Sequence, residues 1–282
     1  MNIAVTAVTG QLGAAIVTAL QARNTDANII GLARTPDKAR DLGIEIRPGD
    51  YDDRDQLESS LAGVQSLLLV SGNGPTEARI AQHRNVIEAA KTAGVTKIVY
   101  TSVQGMDEGD LATPVVKTNR QTEEDVRASG LEYVIGRNGI YIEPDVEYIE
   151  TYRKEGEIVN CAGDGRCGYT TRPELAAAYA GMLLGEQHNG NTYLLHGECI
   201  TQSQLATYLN SAFGTELTYR AMSAEDYYAD RVTALGELFG KIIASIYEGI
   251  HQGALDKPSD YEQAAGRPHQ SWEDYFASIA AD

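Results

Sequence analysis

Short apolar runs alternate with helical patterns through the first half of the chain, at residues 3–7, 28–33, 44–47, 66–70, 97–101 and 133–135. Most are apolar at successive positions rather than at every second one, so they read as strands buried on both faces, the mark of a parallel sheet. Between them, Leu12, Ile16 and Leu20, then Leu57 and Leu61, then Ile80, Ile87 and Ala90 recur at helical spacing. Parallel strands need crossovers, and each right-handed crossover lays its helix on the sheet. The pattern therefore predicts an α/β fold built on a doubly wound parallel sheet. Gly94 and Gly130 punctuate two of the helices as C-terminal stops.

Beyond Arg137 the alternation fades. Glycine-rich turns at Gly139, Gly163, Gly165 and Gly168 mix with helical stretches at 202–213 and 224–250, and 193–196 reads as a further strand. The change predicts a first domain over 1–137 and a smaller C-terminal lobe over 138–282, partly interlaced with it. A chain of 282 residues with 43% hydrophobic and 22% charged residues can build both.

Composition excludes several function classes. A net charge of −17 with no cluster of lysine or arginine disfavours direct contact with nucleic acid. No apolar run approaches the roughly 20 residues that cross a bilayer, so no membrane role is expected. The start, Met1-Asn2-Ile3-Ala4-Val5, lacks the basic and apolar regions of a targeting signal, and the expectation is a cytoplasmic protein. Cys161, Cys167 and Cys199 form no metal or disulfide pattern. Gly163-Asp164-Gly165 offers one carboxylate, too few ligands for a metal, and reads as a turn.

The chemistry is carried by Thr6-Ala7-Val8-Thr9-Gly10-Gln11-Leu12-Gly13, which follows the first strand and opens a helix. In a Rossmann-type domain such a turn holds a dinucleotide. Gly10 admits the pyrophosphate to the backbone, Gly13 lets helix and strand pack closely, and the free N–H groups of the helix start bind the anion. Thr6, Thr9, Gly10, Gln11, Leu12 and Gly13 are the expected contacts. The second strand ends in Ala33-Arg34 where an NAD-preferring domain carries a carboxylate for the ribose, so Arg34, with Lys38, points to NADP(H). A solvated arginine at a helix start is the competing reading.

These features resemble the NmrA-like family of atypical short-chain dehydrogenases/reductases, and its NAD(P)H:quinone oxidoreductase branch in particular. Matching segments are Arg34-Thr35-Pro36-Asp37-Lys38, Gly49-Asp50-Tyr51-Asp52, Gln82-His83-Arg84-Asn85-Val86-Ile87, Tyr100-Thr101-Ser102, Arg137-Asn138-Gly139-x-Tyr141 and Ala162-Gly163-Asp164-Gly165. The family motif Thr-Gly-Ala-Thr-Gly-x-x-Gly is met at Gly10 and Gly13, with Ala7 in place of the first glycine. The resemblance implies that Asp50, with Tyr51, lies at the adenine; a turn role for Asp50 is the alternative. Ser71, Gly72 and Asn73 close the fourth strand and are expected near the cofactor ribose, or else form a plain loop.

Reductases of this superfamily use Ser and Tyr-x-x-x-Lys, the tyrosine donating a proton and the lysine lowering its pKa. Ser102 and Lys117 fit two of these positions, but Thr113 stands where the tyrosine belongs. Tyr141 could replace it, and Tyr141 with Asn138 is expected at the substrate. Tyr141, Tyr148 and Tyr152 could line an aromatic wall, or simply pack. His83 reads as a structural or cofactor-flanking residue. Two functions remain: an NADPH-dependent oxidoreductase passing hydride to a quinone or small activated carbonyl compound, or a dinucleotide-binding redox sensor without turnover. The oligomeric state stays open, a homodimer among the options.

Overall fold

β1 (Asn2–Val5) lies inside a seven-stranded, wholly parallel sheet in the order β10-β6-β5-β4-β1-β2-β3. The other strands are β2 (Asn28–Ala33), β3 (Glu45–Pro48), β4 (Ser66–Leu69), β5 (Lys97–Val103), β6 (Glu132–Asn138) and β10 (Thr192–Leu195). The computed structural model describes residues 1–23, 25–72, 74–106 and 113–280. Side chains alternate strictly between the faces. Ile3, Val5, Leu68, Val99 and Val134 join the core under α1 (Gln11–Ala22) and α7 (Arg172–Leu184). Ala4, Leu67, Leu69, Ile98, Tyr100 and Ile135 face α2 (Arg54–Ser60), α3 (Thr76–Thr92) and α4 (Pro114–Ala128). With both faces covered, the inner strands need apolar residues throughout, which is why their runs show no polar alternation, whereas β3 at the sheet edge alternates.

Strand order reverses between β1 and β4, the switch point where open α/β sheets bind ligands beyond their carboxyl ends. The run at 193–196 joins this sheet as its edge strand β10, with Leu195 opposite Asn138. Its outer side is covered, since Leu194 N–H donates to Asp260 Oδ2 at 2.9 Å and Asp260 N–H donates to Leu194 O at 2.8 Å. Sheet edges left open invite pairing with another chain.

Most of the remaining elements form a second lobe: β7 (Ile140–Tyr141), α5 (Glu143–Glu147), α6 (Ile149–Glu155), β8 (Glu157–Asn160), β9 (Arg166–Thr170), β11 (Cys199–Thr201), α8 (Gln202–Phe213), β12 (Thr218–Ala221), α9 (Ala224–His251) and α11 (Trp272–Ala280), while α10 (Tyr261–Ala265) packs beside α7. β11-β9-β7 and β12-β8 make two small sheets around Ile142, Ile158, Tyr169, Ile200, Leu205, Trp272 and Phe276. Residues 138–282 do not stay together: β10, α7 and α10 pack with the first half while the rest build this lobe. The helix expected over 224–250 is broken at Gly236 (φ 79°, ψ 165°), a conformation essentially confined to glycine. Its two halves fold onto each other so tightly that a Cβ on Gly240 would lie 2.5 Å from Val232 N. The 163–165 segment is a turn between β8 and β9, closed by Gly165 N–H to Ala162 O at 3.0 Å. Among the described residues no helix is long and apolar enough to cross a membrane, and the three cysteines are buried thiols.

Candidate active site

The turn between β1 and α1 is built for close approach. Gly10 is the N-cap of α1 with no side-chain cap, and the first turn carries no acidic residue, so nothing in the helix itself satisfies its leading N–H groups. Gly10 N–H closes the turn onto Ala7 O at 2.9 Å. A Cβ on Gly13 would lie 2.6 Å from Ala7 O, which fixes glycine there. Ala7 itself holds φ at +51°, the left-handed region that disfavours side chains. Thr9, Gly10 and Gln11 are exposed and Leu12 is half-buried.

Thr6 and Tyr51 meet behind this turn. Val70 N–H donates to Thr6 Oγ1 at 2.9 Å and the Tyr51 hydroxyl donates to Val70 O at 2.8 Å. With the Tyr51 proton so used, Thr6 donates its own to the Tyr51 oxygen. Burial raises the Tyr51 phenol far above its ordinary pKa, so it stays neutral. The pair ties β1, the β3 loop and the end of β4 together, and their polar atoms are spent on one another.

At the far end of the cleft, Arg34 and Lys38 are exposed just past β2, and neither forms an ion pair with any described residue. Gly49 lets the chain cross β2, since a Cβ there would sit 2.7 Å from Leu32 Cβ. Asp50 Oδ1 accepts from Asp52 N–H at 3.2 Å, an Asx turn that aims the loop. The exposed N-terminus of α1 and two unpaired cations at the end of β2 fit a dinucleotide with a phosphorylated ribose.

At the other end, Ser71 and Gly72 follow β4, while Asn73 lies outside the described residues. Ser71 N–H donates to Thr101 Oγ1 at 2.8 Å and Gly72 N–H donates to His83 Nε2 at 3.0 Å. His83 then carries its proton on Nδ1, 2.9 Å from Thr122 Oγ1. Burial, aided by the Arg79 charge, lowers its pKa to about 3, so the ring is a neutral fastener for the loop.

The residues matched to a reductase triad have different surroundings. Ser102 is fully buried and donates to Glu123 Oε1 at 2.6 Å, inside an ion cluster where Arg120 and Arg137 each reach the same carboxylate at 2.9 Å. Burial would raise the Glu123 pKa, but Arg137, Ser102 and Arg120 outweigh it and hold the carboxyl below its usual range. Lys117 lies on the exposed face of α4. Thr113 is the N-cap of that helix, accepting from Val116 N–H at 3.2 Å. The phase so fixed turns Val116, Asn119, Thr122, Glu123 and Val126 inward. Asn119, two residues past Lys117, faces the sheet: Tyr100 donates to its Oδ1 at 2.6 Å, and Ser71 Oγ lies 3.4 Å away.

Asn138 ends β6 and accepts from the Tyr179 hydroxyl at 2.6 Å. Tyr141, three residues on, lies under the Arg172 guanidinium, 5.2 Å from the ring centroid. Burial keeps its phenol above the ordinary tyrosine range, with Asn138 and Arg172 pulling the other way. Tyr141 packs on the core beneath α7, whereas Tyr152 belongs to the second lobe with Tyr148 edge-on at 5.2 Å, so the three tyrosines form no common wall. Arg79 had no sequence signal, being one polar residue in an amphipathic helix; it is 7% exposed and donates to Ser71 Oγ at 2.9 Å.

A model of the NAD(P)H-binding family matches residues 8–183. Quinone oxidoreductase 2 of Escherichia coli strain K12 is 35% identical over 272 residues, 94% of each chain. An NmrA-like family domain-containing oxidoreductase of Aspergillus flavus is 29% identical over 268 residues, 90% of this chain and 87% of that one. Among solved structures, an NADPH-dependent quinone oxidoreductase from E. coli complexed with NADPH has a TM-score of 0.89 at 32% identity, covering 98% of this chain and 99% of that one. Triphenylmethane reductase from Citrobacter sp., complexed with NADP(H), gives 0.90 at 33%, with the same coverage. The seven-stranded sheet, the glycine turn at its switch point and these likenesses together show that the chain belongs to the NAD(P)H-binding family, within the NmrA-like atypical short-chain dehydrogenases/reductases.

Proposed function

We propose that the protein is an NADPH-dependent oxidoreductase that reduces a quinone or a small activated carbonyl compound in the cleft above the carboxyl ends of β4, β5 and β6. The observation that carries this reading is the acid-free, uncapped N-terminus of α1 at the switch point, with Arg34 unpaired at the end of β2. Thr9, Gly10, Gln11, Leu12 and Gly13 hold the pyrophosphate, Arg34 and Lys38 the ribose phosphate, and Asp50 the adenine end. Bound NADPH supplies a hydride. Tyr141 and Asn138 face the acceptor, and the neutral Tyr141 phenol donates a hydrogen bond to its oxygen. Ser102 and Lys117 serve structure and surface: the first is locked to Glu123 and the second points to solvent.

The acceptor is a small molecule, the protein works in the cytoplasm, and nucleic acid is not a partner; the last follows from the charge of −17. A homodimer is the assembly to test by light scattering. The likeness to named reductases favours turnover over the sensor alternative. The test is NADPH oxidation with and without a benzoquinone or naphthoquinone. Quinone-dependent oxidation is expected, whereas tight NADPH binding with no turnover on any acceptor would return the sensor reading. Arg34→Ala should erase most of the NADPH-over-NADH preference, about 1.5–3 kcal/mol for hydrogen bonds to a charged group. Fluorescence titration of both cofactors measures it, and an unchanged preference would remove Arg34 from the site.

A further inference from the structure

Arg79 is a buried cation with no counter-ion among the described residues. It is 7% exposed, forms no ion pair with any described residue, and its Nε has no hydrogen-bond partner. It stands at the end of the first turn of α3, where the helix dipole opposes a positive charge. The described groups that face it are neutral: His83 with its depressed pKa, Tyr100 and Ser71. An unpaired buried charge costs several kcal/mol, and such a cost is expected where an anion arrives during function.

Ser71 connects that charge to the cleft. Its oxygen accepts from Arg79 Nη2 at 2.9 Å, which polarises its own O–H. That hydrogen has two neutral acceptors in reach, Asn119 Oδ1 at 3.4 Å, which already takes the Tyr100 proton at 2.6 Å, and the Tyr100 oxygen itself. The backbone is meanwhile fixed by Ser71 N–H to Thr101 Oγ1 at 2.8 Å. The hydroxyl is thus half-buried at the carboxyl end of β4, held in place and free to turn to a better acceptor.

We infer that Ser71 and Arg79 form an oxyanion site, Ser71 donating to the acceptor's carbonyl oxygen and Arg79 acting as a positioning residue that strengthens the donor. The inference rests on the reductase reading above. When a quinone is reduced, the C4–H bond of the dihydronicotinamide breaks and its electron pair forms an O–H bond at one quinone oxygen, while the conjugated π system moves a pair onto the other oxygen. The products are NADP⁺ and a hydroquinone monoanion, which later takes a proton from water; a simple carbonyl compound takes the hydride at carbon and becomes an alkoxide. Negative charge appears on the oxygen that receives the pair only as the reaction proceeds, so a donor aimed there lowers the barrier more than it tightens binding.

The probe is p-nitrophenol, titrated into the full-length protein saturated with NADP⁺, with its ionisation followed by the colour of the phenolate. The wild-type protein should lower the bound phenol's pKa by about one unit or more, the size seen for an acid beside an arginine. Arg79→Gln and Ser71→Ala should return it to the free value, and Arg79→Lys should keep most of the shift. In turnover, Arg79→Gln and Ser71→Ala should lower kcat with a quinone about 10²-fold, the loss typical of one oxyanion donor, while the Kd for NADPH stays within about threefold. No bound phenolate, or a pKa that the substitutions leave unmoved, overturns the site; so does a weakened NADPH affinity with kcat intact, which would assign Arg79 to the cofactor. If Arg79→Gln does not fold, Ser71→Ala decides alone. A wild-type protein that shifts the phenol's pKa but reduces no quinone keeps the oxyanion site and defeats the reductase reading instead.

Discussion

Ala7 holds a left-handed backbone where the family motif carries its first glycine. A side chain in that region costs about 1–2 kcal/mol per residue, whereas glycine adopts it freely and gives back a few tenths to about 1 kcal/mol through the entropy of the unfolded chain. Ala7→Gly should therefore stabilise the fold by roughly 1 kcal/mol or slightly less, a rise in Tm of about 2 °C for a chain of this size. A thermal melt measures it, and a lower Tm would show that Ala7 relaxes at no cost. Gly13 tolerates no such exchange, because a Cβ would meet Ala7 O at 2.6 Å. Both glycines were legible in the sequence from their strand-turn-helix setting. The strain at Ala7 was legible only as a question, since a residue's φ is set by the turn around it. Arg79 and Asn119 were illegible for a different reason: a lone polar residue in an amphipathic helix looks like part of the solvated face until the helix phase is known.

At the scale of elements, α4 shows how helix phase sorts side chains. Lys117 matched the lysine of Tyr-x-x-x-Lys, and the cap at Thr113 with Pro114 at the first helical position turns Val116, Asn119 and Glu123 inward and Lys117 outward. Lys117→Ala should leave kcat and the KM for NADPH within about threefold, far below the 10²- to 10⁴-fold of a general acid-base group. Tyr141→Phe should slow quinone reduction by about tenfold or more if the loss of one hydrogen bond of about 1.5 kcal/mol is felt in the transition state. Steady-state kinetics separates the two, and a collapse of kcat in Lys117→Ala alone would restore the conventional triad. The parallel strands were readable because burial on both faces demands unbroken apolar runs. In the second lobe β12 is largely exposed, with Thr218, Arg220 and Ala221 open to solvent, and β7 has only two residues, so neither leaves a periodic pattern. The break at Gly236 was hidden because both halves of the hairpin keep helical spacing.

For the molecule as a whole, the two lobes store charge in opposite ways, and pH separates them. In the Rossmann half, Glu123 and Glu174 are buried against arginines, Arg267 binding Glu174 through both carboxylate oxygens at 2.8 Å. Burial raises the Glu174 pKa, but Arg267 and Tyr261 outweigh it, so both carboxyls are held below their ordinary values. Their contribution is present above the unfolded pKa and is lost as pH falls through the folded one. In the second lobe, Asp145 is buried with no cation beside it among the described residues, facing Tyr152, Cys167, Tyr169, Tyr227 and Tyr247, and its side chain accepts from the Tyr152 hydroxyl at 2.7 Å. Burial raises its pKa from 3.8 to about 6, against the smaller effect of that hydrogen bond. A raised carboxyl has the opposite sign: the folded state keeps its proton longer than the unfolded chain, so stability is greatest below about pH 4, declines as pH rises to about 6, and is level above that. A shift of about two units corresponds to roughly 2–3 kcal/mol lost at neutral pH. Asp145→Asn removes the titration while its amide oxygen still accepts from Tyr152. Denaturant unfolding should find this variant more stable than the wild type by up to about 2–3 kcal/mol at pH 8 and nearly equal to it at pH 4, because Glu123 and Glu174 act alike in both proteins and cancel in the difference. A difference that does not change with pH would mean that Asp145 titrates normally and that its burial is relieved by water.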